Sequence, residues 1–281
     1  MRCVRTAGVY HPDGGTVEGS VVCFEAGKIT AIEDTVPSDA EVLADTDGYA
    51  LPGLVDAHSH ASIRPWEGDQ LAQLRADKAR GAARAISNLR TDLEAGTTTM
   101  RLMAEERHLD IELADLEAEG EITAPRLLPS GVHLTPTGGH GQAITATDGP
   151  DAIREQIRTN LAAGAHHVKY FATGGISSAT GGLASAPYAD AEVEAIVEEA
   201  HRQGVHVGAH AHGGPGARQA IDAGVDTIEH AGALGEAAID RLDGGDQHVV
   251  GTFSILNHPR GIEAGDADEP AIMAKVETAR T

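Results

Sequence analysis

The chain has 281 residues, 41% of them apolar, which suits a single α/β barrel and excludes a disordered chain. Its 21 basic and 43 acidic residues give a formal charge of −22, which argues against a nucleic-acid partner, since phosphate binding needs a concentrated basic surface. The acids are spread along the helices and not gathered in a tail. That pattern reads as adaptation to high salt, where screening keeps such a surface from repelling itself.

Cys3 and Cys23 are the only cysteines, and they lack CxxC spacing. A disulfide framework is therefore excluded and the cytoplasm is the default compartment. The opening stretch "MRCVRTAGVYHPDGG" has no signal-peptide core. No later run approaches ~18 consecutive apolar residues, so no membrane partner is expected.

Residues 1–49 read as short strands broken by turns, with a hairpin at Ala26-Gly27-Lys28, and form part of a small β-sandwich outside the main domain. From residue 50 to 281 the pattern becomes strand, loop, helix, repeated. Strands are expected at 51–57, 97–102, 126–131, 166–172, 205–211, 226–231 and 247–253, and helices at 70–95, 109–119, 150–163, 189–203 and 215–223. In the fourth of these helices Val193, Ile196, Val197 and Ala200 share one face opposite the acids, and Gly204 closes it. Alternating β and α units imply a parallel sheet. An open doubly wound sheet lacks its usual GxGxxG turn here, whereas histidines collect at the ends of several strands. A barrel with its site at the C-terminal face fits that distribution.

Those histidines carry the chemistry. His58 and His60 end the first strand in "LPGLVDAHSH", and alternate residues of a strand share a face. Lys169 sits inside the apolar strand "HHVKYFATGG", where a bare ammonium costs several kcal/mol to bury. His210 and His212 end the next strand in "VGAHAHG", and His230 ends the one after in "DTIEHAG". A lone histidine is ordinarily a hydrogen-bonded core residue. Imidazoles at the ends of strands one, five and six, with the lysine on strand four, instead point to a metal site. His11, His108, His133, His166, His167, His201, His206, His248 and His258 read as surface or structural residues, and Trp66 as a packing residue at the border of the pocket.

These motifs, with "AGTTTMR" and "SGVHLTPTGGHG", resemble the amidohydrolase superfamily, in its imidazolonepropionase and prolidase-like (Xaa-Pro dipeptidase-like) branch. The resemblance implies a (β/α)8 TIM-type barrel of the metal-dependent hydrolase kind. It implies two divalent metals, zinc by expectation: His58 and His60 on one, His210 and His230 on the other, and Lys169 carboxylated by carbon dioxide between them. A metal-bridging hydroxide would then attack the amide carbonyl of a dipeptide or small cyclic amide. His140, in "TGGHG", would touch the substrate carbonyl. His212, beyond the end of the expected strand 205–211, would line the pocket and not bind metal, and Arg218, by its charge and its place in the first turn after strand five, would grip a substrate carboxylate. A homo-oligomer is compatible with the sequence.

One departure stands out. The family's barrel continues to an eighth strand ending in the general-base aspartate. Here the sequence reaches "EPAIMAKVETART" after about seven strands, and Asp240, Asp243, Asp246, Asp266 and Asp268 follow no buried strand. An incomplete barrel is expected. An imidazolone or lactam-ring hydrolase, or a metal-binding remnant without turnover, are the alternatives.

Overall fold

The computed structural model describes residues 1–11, 14–18, 20–178 and 181–280. Thr281, at the end of the quoted C-terminal stretch, lies outside them. The chain divides into two units, Met1–Leu54 and Val55–Thr281.

The first unit holds seven short strands: β1 (Arg2–Arg5), β2 (Gly8–His11), β3 (Gly15–Glu18), β4 (Val21–Glu25), β5 (Lys28–Glu33), β6 (Glu41–Asp45) and β7 (Tyr49–Ala50). They form two sheets, ordered β5-β4-β1-β6 and β3-β2-β7. The expected hairpin joins β4 to β5, with Ala26 and Gly27 both at positive φ (49° and 76°), the backbone a tight two-residue turn requires. Cys3 faces Cys23 across the antiparallel β1–β4 pair, and the two are joined by a disulfide. The sequence reading expects no such bridge. Strand register brings the two together, and nothing in their spacing reveals it.

In the second unit seven strands run parallel: β8 (Leu54–Ser59), β9 (Thr97–Leu102), β10 (Arg126–Leu128), β11 (Val168–Phe171), β12 (Val207–Gly213), β13 (Thr227–Ala233) and β14 (His248–Val250). Their ladders give β10-β9-β8 and β11-β12-β13-β14. A parallel bridge between Leu134 and Tyr170, flanked by Leu134 N–H to Lys169 O (2.9 Å), joins the two. Among the described residues β8 and β14 remain edges, and Val55 and Val249 are exposed there. The sheet is nevertheless rolled. Glu229 on β13 accepts hydrogen bonds from His58 on β8 (2.7 Å) and from Arg101 on β9 (2.7 Å), across its interior.

Ten helices are described around these strands: α1 (Gln70–Arg75), α2 (Lys78–Glu94), α3 (Leu109–Ala118), α4 (Pro150–Ala163), α5 (Asp190–Arg202), α6 (Gly214–Ala223), α7 (Glu236–Leu242), α8 (Phe253–Asn257), α9 (Ile262–Asp266) and α10 (Pro270–Arg280). The helix expected at 70–95 is two, because Ala76 is extended (ψ 156°) and the Asp77 carboxylate caps a new start at Ala79 N–H (2.9 Å). Helix α5 buries Val193, Ile196, Val197 and Ala200 against Val168, Tyr170, Val207 and Ala209, and Gly204 (φ 73°) follows its end. Outward-facing strand residues thus make the core, and the inward-facing ones are left to the site.

Candidate active site

Period-two alternation explains most of the site. On β11 Val168 and Tyr170 face the helices, while Lys169 and Phe171 face the interior. On β12 His210 and His212 point inward, with only Gly208, Ala209 and Ala211 near them in the strand, so the rings meet little crowding. Strand β13 breaks the rule. Alternation puts Glu229 and His230 on opposite faces, yet both reach the interior. His230 and Ala231 are left-handed (φ 74° and 55°), a costly backbone for residues with a Cβ, and this turns the His230 ring inward.

The result is one cavity of about 710 Å³ lined by His58, His60, His140, Lys169, His210, His212 and His230. Its rings pack mainly edge to face: His58–His230, His210–His230 and His140–His210 centroids are each 4.6 Å apart, and His58–His60 are 5.4 Å apart. His212 stacks on His230 at 5.2 Å. It lies within β12, whereas the sequence reading puts it beyond the strand end. Arg218 is not brought in: it is exposed on α6 and absent from the lining, because the helix turns it outward. None of Asp240, Asp243, Asp246, Asp266 and Asp268 lines this cavity either.

Hydrogen bonds to the ring nitrogens fix the tautomers. His58 donates from Nδ1 to the Glu229 carboxylate (2.7 Å) and His60 from Nδ1 to Ala104 O (3.2 Å), so each keeps an Nε2 lone pair. His230 shares its Nδ1 with the Thr252 hydroxyl (2.6 Å). His210 donates from Nε2 to Gly174 O (3.2 Å), leaving Nδ1. Burial holds these imidazoles neutral: His60 and His212 are pushed down to about 4, His140 to about 3, and His58, His210 and His230 well below the ordinary value.

Lys169 is 1% exposed, and its Nζ has no hydrogen-bond partner among the described residues. Burial pushes its ammonium down to about 7, with Glu229 opposing and Arg101 adding to the shift. Neutral imidazoles and an orphaned amine are the donor chemistry a divalent metal site needs. Among the described residues no group of three or more His, Cys, Asp or Glu side chains converges as a formed metal site; the rings lie against one another instead. The donors fit a divalent metal in kind, and the lysine nitrogen is the one that most needs a partner.

Sequence reasoning missed Glu229, Arg101 and Thr252. Glu229 is fully buried and accepts from Arg101, Thr227 (2.5 Å) and His58, which makes it the anchor of the cluster. A glutamate beside His230 inside an apolar strand was the available signal.

A sequence model described as "Amidohydrolase family" matches residues 49–252. The chain belongs to the amidohydrolase family. Among curated relatives this amidohydrolase is 29% identical over 233 residues to an ochratoxinase of Aspergillus niger, covering 73% of the present chain and 48% of the relative. It thus spans about half the length of that relative. Among solved structures, a prolidase complexed with N-methylphosphonate-L-proline superposes with a TM-score of 0.85 at 27% identity, covering all of this chain and 73% of that one. A Xaa-Pro dipeptidase with bound methionine has a TM-score of 0.82 at 23% identity, over 99% and 74% of the two chains, a likeness of fold.

Proposed function

We propose that this amidohydrolase uses two divalent metals to cleave an amide C–N bond in a dipeptide or small cyclic amide. The observation that carries this is Lys169, a buried amine in the midst of neutral imidazoles with no hydrogen-bond partner among the described residues. A neutral amine is nucleophilic toward carbon dioxide. Carboxylation forms an N–C bond, releases a proton, removes the cost of a buried ammonium and supplies two oxygens for two metals. His58, His60 and His230 would bind through Nε2 and His210 through Nδ1, the nitrogens their hydrogen bonds leave free. When bound, the metals, zinc by preference, supply water activation and polarisation of the carbonyl.

The protein's own residues do the rest. His140, tied by Nδ1 to Ser178 Oγ (3.1 Å) and lying against Gly175, donates to the substrate carbonyl oxygen as it gains charge. His212 lines the pocket and supports the His230 ring. Phe171, 5.1 Å from His140, keeps that ring in place and water out.

Metal content per chain by elemental mass spectrometry, after preparation in high salt with zinc and bicarbonate, is the test. About two metals are expected for the wild type, most of them lost in Lys169→Ala and kept in His212→Ala. Equal loss in both variants would remove the assignment of His210 over His212. Release of free amine from a panel of dipeptides and cyclic amides, lactams and imidazolones included, then reads the activity. The absence of the C-terminal aspartates from the cavity lining favours a second reading, metal binding without turnover. A metal-loaded chain that cleaves no member of the panel would support it.

A further inference from the structure

We propose that Arg260 grips a substrate carboxylate at the mouth of the imidazole cavity, with Trp66 as the plate that holds its guanidinium; the assignment rests on the hydrolase reading above. The Arg260 guanidinium carbon lies 3.8 Å over the Trp66 ring centre, and both side chains line the cavity that contains Lys169 and His140. A guanidinium stacked on an indole keeps its in-plane N–H groups available, and that fork matches a carboxylate.

Its neighbours differ. Arg64 spends its guanidinium on Asn88 (2.8 Å) and Glu67 (3.1 Å), Arg84 reaches Glu67 (3.7 Å), and Arg101 is held by Glu229. Among the described residues no carboxylate lies within ion-pair reach of Arg260, although the chain carries 43 acids against 21 bases. With so many acids available, a cation at a cavity mouth without an acidic partner is set aside for an incoming anion. Asp56 and Asp92 also face this cavity, and burial raises both carboxyls, Asp92 to about 6, without placing either in ion-pair reach of Arg260.

The stack is built before any ligand arrives. Trp66 sits in a single 3-10 turn, Pro65–Glu67, and Arg260 just precedes α9. These two segments meet backbone to backbone: a Cβ on Gly265 would lie 2.4 Å from Pro65 O, and one on Gly68 would lie 2.6 Å from Gly265 O. Asp69 N–H donates to the Asp266 carboxylate (3.3 Å) across the same junction. Little ordering cost is left for binding. Arg260 thereby takes the role that charge and position assigned to Arg218 in the sequence.

Trp66 is the only tryptophan in the chain, so its fluorescence reports on this pair alone. The full chain, prepared with zinc and bicarbonate, is titrated with two probes that differ in charge, N-acetyl-L-proline and N-acetyl-L-prolinamide. The acid is expected to change Trp66 emission and to bind about tenfold or more tighter than the amide. Arg260→Gln should erase the preference and Arg260→Lys keep part of it. Equal affinity for the two probes, a preference that survives Arg260→Gln, or loss of both probes together would each overturn the assignment. Turnover of Gly-L-Pro and its C-terminal amide separates the two ideas. If no dipeptide is cleaved while the acid preference holds, the grip stands and the hydrolase reading falls. Cleavage with equal KM for acid and amide means the reverse.

Discussion

Glu229, which no spacing rule singles out, collects three hydrogen bonds on a carboxylate with no exposure, and one of them fixes the tautomer of His58. Glu229→Gln keeps the shape but removes the charge that Arg101 and His58 share. It is expected to weaken zinc binding about 10–100-fold in a chelator competition, as loss of an outer-shell partner does. Urea unfolding should also show a loss of about 3 kcal/mol, because Arg101 stays with no counter-charge. Unchanged zinc affinity would mean that His58 needs no such anchor. Glu105 offers a cleaner titration. It is buried, bonded to Ser62 N–H (2.8 Å) and Oγ (2.6 Å), and burial pushes its carboxyl up to about 7. The folded state therefore holds a proton that the unfolded chain releases near pH 4.5, so this group's contribution to stability falls as pH rises from about 4.5 to 7. Comparing wild type with Glu105→Gln at pH 5 and pH 8 should show the wild type losing more, by up to about 3 kcal/mol. At this scale the HxH pairs and Lys169 were legible, because period two fixes their face. His230 was placed at the right strand end, but its inward aim depends on a left-handed backbone that no residue type there announces. Arg218 misled because position after a strand does not tell which side of a helix faces inward.

Strand positions, and helices as far as α6, follow the hydrophobic period, since each apolar face had one partner to meet, whereas α7, α8 and α9 were not foreseen. The four-residue β11 and the seven-residue β12 were both present in the pattern. The break between α1 and α2 was hidden because Ala76 and Asp77 interrupt no apolar stripe; only the Asp77 cap marks it. The segment after β11 shows how loops carry what periodicity omits. A Cβ on Gly175 would lie 1.9 Å from His140 Nε2, so the bare backbone at 175 forms the surface on which that ring rests. Gly175→Ala should displace His140 and lower kcat/KM for any cleaved dipeptide by more than about tenfold, with metal content unchanged, because His140 is not among the proposed ligands. Parallel kinetics and elemental analysis check this; loss of metal along with activity would put His140 among the ligands.

For the molecule as a whole, the charge of −22 predicts stability that rises with salt. Thermal unfolding in increasing potassium chloride should show a rising Tm from low salt to molar concentration. A flat profile would remove the adaptation to brine inferred from the acids. The parallel sheet, by contrast, was legible in the alternation of strands and helices, and its seven strands were legible too. Its curvature was not, since that depends on contacts such as Glu229 to His58 between strands far apart in the chain. The packed imidazoles have one more consequence, for the acid limb of stability. His58, His60, His140, His210, His212 and His230 all refuse protons that the unfolded chain accepts near pH 6.5. Their share of stability is intact above that pH and lost as pH falls below it, several protons entering in one step. The cavity is thus a proton sink that opens only when the fold does. Acid unfolding followed by circular dichroism should be steep, and zinc, competing for the same nitrogens, should move its midpoint to lower pH.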